Sequence, residues 1–368
     1  MKPDGQLDSR TGETRADTPI DGTPAGRCTT LQLGATRLTR DGIIVDVDKD
    51  GRLDIVTAEF DGHTAVFRQT APRSFADPDV FDLPDLGEAS VAAADLNEDG
   101  VIDFAAGDSY GRVGLLISGA GGVRSPTIFS GGVVVLHLDI AIADFDRNGH
   151  MDIVVPVYDN GTLGFLWDNG PGTFLPRADQ PTCKAPSQIA VIDANEDGLP
   201  DLAVACLGSA SAIHINNGDR TFTSAGLYTT SAAEALATGD INNDGHIDVV
   251  IADTGYKRVV VLLGDGHGGF SQPTGLVTAT KTNPSRAALG DFNHDGNLDL
   301  VLGHREDRQV FIYLGTGDGH FQSGQPTAIP ITQAAISISA GDIDGDGYDD
   351  FVATNLEKGL TVVFGPCP

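Results

Sequence analysis

The chain has 368 residues, of which 52 are acidic and 23 basic, for a formal net charge of −29 at neutral pH. With that balance and no basic stripe, a nucleic-acid partner is disfavoured, because nothing is present to displace phosphate counterions. No run of about 18 apolar residues occurs, so no membrane-spanning helix is expected.

Residues 1–27 are polar, rich in Gly, Thr, Asp and Pro, do not form a signal peptide, and are expected to be a disordered tail. Residues 28–368 are expected to form one domain. It opens with the alternating segment Cys28-Thr29-Thr30-Leu31-Gln32-Leu33. From Asp46 a nine-residue phrase begins that occurs seven times: an acidic or amide residue at places 1, 3 and 5, Gly at place 6 and Asp at place 9.

Loop 1 offers Asp46, Asp48, Asp50 and Asp54; loop 2 offers Asp95, Asn97, Asp99 and Asp103. Loop 3 offers Asp144, Asp146, Asn148 and Asp152; loop 4 offers Asp193, Asn195, Asp197 and Asp201. Loop 5 offers Asp240, Asn242, Asp244 and Asp248; loop 6 offers Asp291, Asn293, Asp295 and Asp299; loop 7 offers Asp342, Asp344, Asp346 and Asp350. Place 7 would add a main-chain carbonyl, from Arg52, Val101, His150, Leu199, His246, Asn297 or Tyr348. Oxygen ligands at alternate positions with Gly at a sharp turn describe a loop around a hard cation, and Ca2+ is the expected ion, up to seven per chain. An EF-hand is excluded, because the twelfth-position Glu and the following helix are missing.

After each place-9 Asp comes a short apolar run, such as Val249-Val250-Ile251-Ala252, without alternation. Such a run predicts a strand buried on both faces. The loops open 49, 49, 49, 47, 51 and 51 residues apart. Only β signals fill that period, which predicts one four-stranded blade per repeat and an all-β, seven-bladed propeller. In the fifth repeat the strands are expected near Ala235 to Thr238, Ile247 to Ala252, Arg258 to Leu263 and from Phe270.

The last repeat supplies three strands, the third being Leu360 to Phe364, before the chain reaches Gly365-Pro366-Cys367-Pro368. The segment 28–33 is therefore expected to supply the fourth strand and close the ring. Four cysteines allow three connectivities. Closure favours Cys28 with Cys367 and leaves Cys183 with Cys206, and disulfides with calcium point to an extracellular, periplasmic or cell-surface setting.

The phrases Asp240-Ile-Asn-Asn-Asp-Gly-His-Ile-Asp-Val-Val and Asp291-Phe-Asn-His-Asp-Gly-Asn-Leu-Asp-Leu-Val, with the later Leu-Gly-Asp-Gly-His-Gly-Gly-Phe, resemble FG-GAP/VCBS repeats. That family includes the seven-bladed head of integrin α subunits, integrin-like fungal lectins and secreted bacterial proteins. The resemblance implies the propeller and its calcium, and leaves function open, since propellers host unrelated activities.

The connections on the face opposite the loops hold Tyr110, Arg112, Tyr158, Tyr256, Arg258 and Arg305, the chemistry of interface hot spots and sugar stacking. Trp167 is expected to pack between blades, and the nine histidines are expected at the surface or in turns. No nucleophile elbow, HExxH or phosphate-cradling Gly loop is present, so no catalytic residue is assigned. The expected function is a calcium-stabilised recognition module for a protein or carbohydrate ligand. A docking subunit of a cell-envelope assembly and a polysaccharide lyase or hydrolase are the alternatives.

Overall fold

The computed structural model describes residues 28–35, 38–83, 86–87, 89–108, 112–119, 125–129, 139–208, 210–272, 277–280, 282–304, 306–322, 326–355 and 359–367. The expected disordered tail, Tyr110 and Arg305 lie outside them. The fold is an all-β propeller of seven antiparallel four-stranded blades, with no helix among the described residues. Inner strands of neighbouring blades touch around the ring, and Ala335–Gly341 of blade 7 lies against Thr39–Val45 of blade 1.

Blade 5 shows the plan: inner strand Ala233–Gly239, then Asp248–Asp253, then Arg258–Gly264, with the outer strand in two pieces, Phe270–Ser271 and Val277–Ala279. In blade 4 the outer strand opens at the corresponding Phe, Phe222–Thr229, but in blades 3 and 6 it starts later. Phe174 and Phe321 each make one bridge, to Asp168 and Gly315, and the strands themselves are Ala178–Pro181 and Thr327–Pro330. In blade 3 the Phe closes the tight turn, and the chain then leaves the sheet before rejoining it at Ala178.

The second strands carry the burial that the missing alternation implies. All seven are buried at every position: Asp54–Glu59, Asp103–Asp108, Asp152–Val157, Asp201–Cys206, Asp248–Asp253, Asp299–His304 and Asp350–Asn355. Their side chains feed apolar clusters that lie at the seams between successive blades. Val56 and Val66 meet Phe104 between blades 1 and 2, and Val301 and Ile312 meet Phe351 between blades 6 and 7. Each such side chain contributes about 1.5–3 kcal/mol of burial, so the seams carry much of the fold's stability. Trp167 belongs to the cluster between blades 3 and 4 and stacks on Phe165 at 4.9 Å, the expected inter-blade role.

The ring closes as expected. Thr29–Leu33 pairs antiparallel with Leu360–Phe364, from Thr29 opposite Phe364 to Leu33 opposite Leu360. Cys28 is bonded to Cys367 with Cα atoms 4.7 Å apart, and Cys183 to Cys206 at 6.2 Å.

Two features escaped the sequence reading. First, polar side chains of the inner strands clasp neighbouring blades at the hub. Asp41 accepts the Val91 N–H at 3.1 Å, Asp139 the Ile189 N–H at 3.0 Å, and Gln188 the Leu236 N–H at 2.7 Å, each across a seam. Desolvation and the nearby Asp41 charge push the Asp139 carboxyl up to about 7. Second, His214 and His304 are buried, contrary to the expected surface placement. His214 meets the Thr182 hydroxyl at 2.7 Å and His304 lies edge-on to Phe311 at 5.0 Å; burial lowers both pKa values and keeps the rings neutral.

Candidate metal centres

Each nine-residue phrase forms one loop between the first two strands of a blade, and its shape comes from its own side chains. The place-1 carboxylate accepts the place-6 N–H in every loop and the place-5 N–H in all but loop 4: Asp46 takes Asp50 at 3.1 Å and Gly51 at 2.9 Å, and Asp291 takes Asp295 and Gly296 at 2.9 Å. The place-5 side chain accepts the place-7 N–H, from Asp50 with Arg52 at 2.9 Å to Asp346 with Tyr348 at 3.0 Å. Place 6 has positive φ in every loop, from 77° at Gly198 to 91° at Gly149 and Gly245, which is why it is Gly.

Place 9 anchors the loop to the core. All seven aspartates there are buried, and the carboxylate of Asp201, for example, takes the Ala194 N–H at 2.9 Å and the Asn216 N–H at 2.7 Å. It thereby ties the loop to the start of the turn between the third and outer strands. Burial raises the carboxyls of Asp54, Asp152, Asp201, Asp248, Asp299 and Asp350, to about 6 at Asp152 and about 7 at Asp299 and Asp350, with like charges in the same loops adding to the effect.

The donor set fits a hard cation. Carboxylate atoms of Asp46, Asp48 and Asp50, of Asp144, Asp146 and Asp152, and of Asp342, Asp344 and Asp350 lie within 4.8 Å of one another. Asp193 Oδ1 and Asp299 Oδ2 are buried without a hydrogen-bond partner. Converging anionic oxygens and orphaned buried lone pairs are what Ca2+ satisfies, and the same loops would hold it. In loops 2, 4, 5 and 6 the place-3 Asn accepts the place-5 N–H through its Oδ1 while its Nδ2 donates to the place-5 Asp side chain, at 2.8 Å from Asn242 to Asp244.

Neighbouring loops also touch. Place 4 is left-handed in a non-Gly residue at Lys49, Glu98, Arg147, Glu196, Asn243 and His294, with φ from 56° to 59°. That geometry points the side chain at place 7 of the next loop: Glu98 pairs with His150, Glu196 with His246 at 2.5 Å, and Asn243 donates to Asn297 at 2.9 Å. The glutamates raise both histidines. Place 4 varies too freely for sequence reading to have singled it out.

On the opposite face two of the candidate arginines are committed to buried carboxylates. Arg112 pairs with Asp108 at 2.5 Å and Arg258 with Asp253 at 3.0 Å, so both brace their connections. Tyr256 is 59% exposed, with the Arg258 guanidinium 4.8 Å from its ring centroid, and Tyr158 is half-buried in the corresponding turn of blade 3.

A family profile described as FG-GAP-like repeat matches residues 46–106, 95–155, 144–204, 193–251, 240–302 and 291–353. The chain belongs to the FG-GAP-like repeat family. Among curated proteins, this FG-GAP propeller is 28% identical over 170 residues to phosphatidylinositol-glycan-specific phospholipase D of Rattus norvegicus, covering 35% of this chain and 19% of that protein. It is 29% identical over 143 residues to integrin alpha-PS3 of Drosophila melanogaster, covering 32% of this chain and 13% of that one. The chain thus spans a minor part of the length of these relatives. Among solved structures, an Agrocybe aegerita lectin that recognises non-reducing terminal N-acetylglucosamine superposes with TM-score 0.59 at 20% identity, covering 91% of this chain and 85% of that one. BBS1N in complex with ARL6DN gives TM-score 0.59 at 14% identity, covering 90% and 93%. At such identities the likeness concerns the fold alone.

Proposed function

We propose that this FG-GAP propeller is a calcium-stabilised extracellular recognition module that binds a protein or glycan and catalyses no reaction. The observation that carries the calcium part is the repeated donor set, with three clustered carboxylates in loops 1, 3 and 7 and orphaned buried oxygens at Asp193 and Asp299. The extracellular setting is supported by the two disulfides, which persist where the surroundings are oxidising. Recognition is assigned to the face opposite the loops, where Tyr256 stands exposed over Arg258. An aromatic face held by a fixed guanidinium suits stacking on a sugar or anchoring in a protein pocket. The similarity to integrin alpha-PS3 supports the same class of activity. A glycan array and a cell-surface protein panel, each run with calcium and with chelator, test the reading. Calcium-dependent binding that Tyr256→Ala abolishes is expected; turnover of a polysaccharide, or binding indifferent to calcium, would overturn it.

A further inference from the structure

The seven seams allow comparison of one position across the chain. The turn between third and outer strands begins at the residue whose N–H caps the place-9 Asp: Gln69, Asp168, Asn216, Gly264 and Gly315 in blades 1, 3, 4, 5 and 6. Four residues later stands Arg73, Gly172, Arg220, Gly268 or Gly319, always left-handed, with φ of 60°, 68°, 66°, 83° and 85°. A Cβ there faces the preceding blade's loop: one added to Gly172 would lie 3.2 Å from the Asn97 Cβ, and one added to Gly268 would lie 3.6 Å from the Asn195 Cβ.

Two turn designs occur at the five described positions, and they follow place 3 of the loop they cover. Over Asn97, Asn195 and Asn242 the residue is Gly, whose N–H donates to the place-2 carbonyl of Leu96, Ala194 or Ile241 at 2.8, 2.9 and 3.3 Å. Over Asp146 and Asp344 it is Arg, and the place-2 carbonyl is capped instead by a side-chain amide, Asn216 to Phe145 at 2.7 Å and Gln69 to Ile343 at 2.9 Å. Arg220 sets Nε and Nη2 each 2.7 Å from Asp146 and lies 5.2 Å from the Trp167 ring centroid. Arg73 pairs with Asp344, reaches Asp346 at 3.1 Å and lies 5.0 Å from the Phe364 ring centroid. Loop 1 stands apart, its Asp48 meeting Arg68 of its own blade at 3.6 Å.

An L-residue held left-handed where Gly is the default is strained, and the contacts made by the arginine side chain offset that strain. We propose that Arg73 and Arg220 are resident counter-cations of loops 7 and 3, holding those loops and their blade seams closed without calcium, whereas loops 2, 4 and 5 depend on the ion. The inference rests on the calcium reading above. The guanidinium neutralises the extra carboxylate at place 3 and is itself held by an aromatic ring of the blade it reaches, so the seam stays joined when the ion leaves.

Hydrogen exchange followed by mass spectrometry on the full chain, calcium-loaded and then chelated with loss of metal verified by elemental analysis, tests this. Loops 2, 4 and 5 should exchange about tenfold faster after chelation, the factor expected when free calcium stood about tenfold above Kd. Loops 3 and 7 should stay within about twofold. Arg220→Gly should make loop 3 respond like loops 2, 4 and 5 while loop 7 remains protected in the same molecule, and Arg220→Lys should restore part of the protection. Equal acceleration of all loops in the unmutated protein would overturn the inference and leave the calcium reading standing. If no loop accelerates although calcium is gone, calcium stabilisation itself fails. The unmutated comparison stands even if Arg220→Gly does not fold.

Discussion

The two faces of the propeller are built from the same seven repeats and differ in how far the repeat extends. On the loop face every copy repeats the place-1, place-6 and place-9 roles, since each loop must turn, gather anionic oxygens and tie itself to the core. Among the described residues of the opposite face no single role recurs in all seven copies: the connection is braced by Arg112 on Asp108 in blade 2 and by Arg258 on Asp253 in blade 5, while Cys206 is bridged in blade 4. Regularity marks what folding demands seven times. Irregularity marks where surface chemistry is free to serve a partner.

The sharpest way to break this contrast is to remove the ions. With free calcium about tenfold above Kd, each ion-dependent site contributes about 1.4 kcal/mol, and the five loops without a resident arginine about 7 kcal/mol, comparable to a whole domain's net stability. Exhaustive chelation should therefore lower the melting temperature strongly, and magnesium should restore little of it, because it demands tighter octahedral geometry. An unchanged melting temperature, read by calorimetry with metal loss verified, would reduce the loops to simple turns.

Opening the ring comes next. Cys28 and Cys367 close nearly the whole chain, with a sequence separation of 339, and the chain-entropy account assigns such a bridge about 6 kcal/mol. Cys367→Ser should lower the denaturant midpoint accordingly, and Thr29–Leu33 should be the first strand to exchange its amides. Retained protection there would show that the strand ladder alone closes the ring.

The opposite face separates support from recognition. Arg258→Ala removes the guanidinium from the fully buried Asp253 carboxylate, which keeps only the N–H groups of Ser231, Ala232 and Tyr256, and should cost about 1–3 kcal/mol, seen as a shifted denaturant midpoint. Tyr256→Ala, at a residue 59% exposed, should change stability by less than about 0.5 kcal/mol while removing partner binding. The smallest stability change is thus paired with the largest functional one. If Tyr256→Ala destabilises as much as Arg258→Ala, the tyrosine belongs to the brace and not to a binding surface.

The period of 47–51 residues, the seven ligand phrases and the unalternating second strands were legible in the sequence because each is a local, repeated pattern. Ring closure was legible too, since three strands remained for the last blade and one spare strand stood at residues 29–33. What only the tertiary structure decided lies across seams: the hub clasps of Asp41, Asp139 and Gln188, the burial of His214 and His304, and the pairing of Arg220 with Asp146. Arg220 and Asp146 stand 74 positions apart and meet because two blades are stacked side by side. Periodicity states what each blade buries; it does not state which polar atoms face each other once seven blades share one hub, and that follows from the geometry of closure.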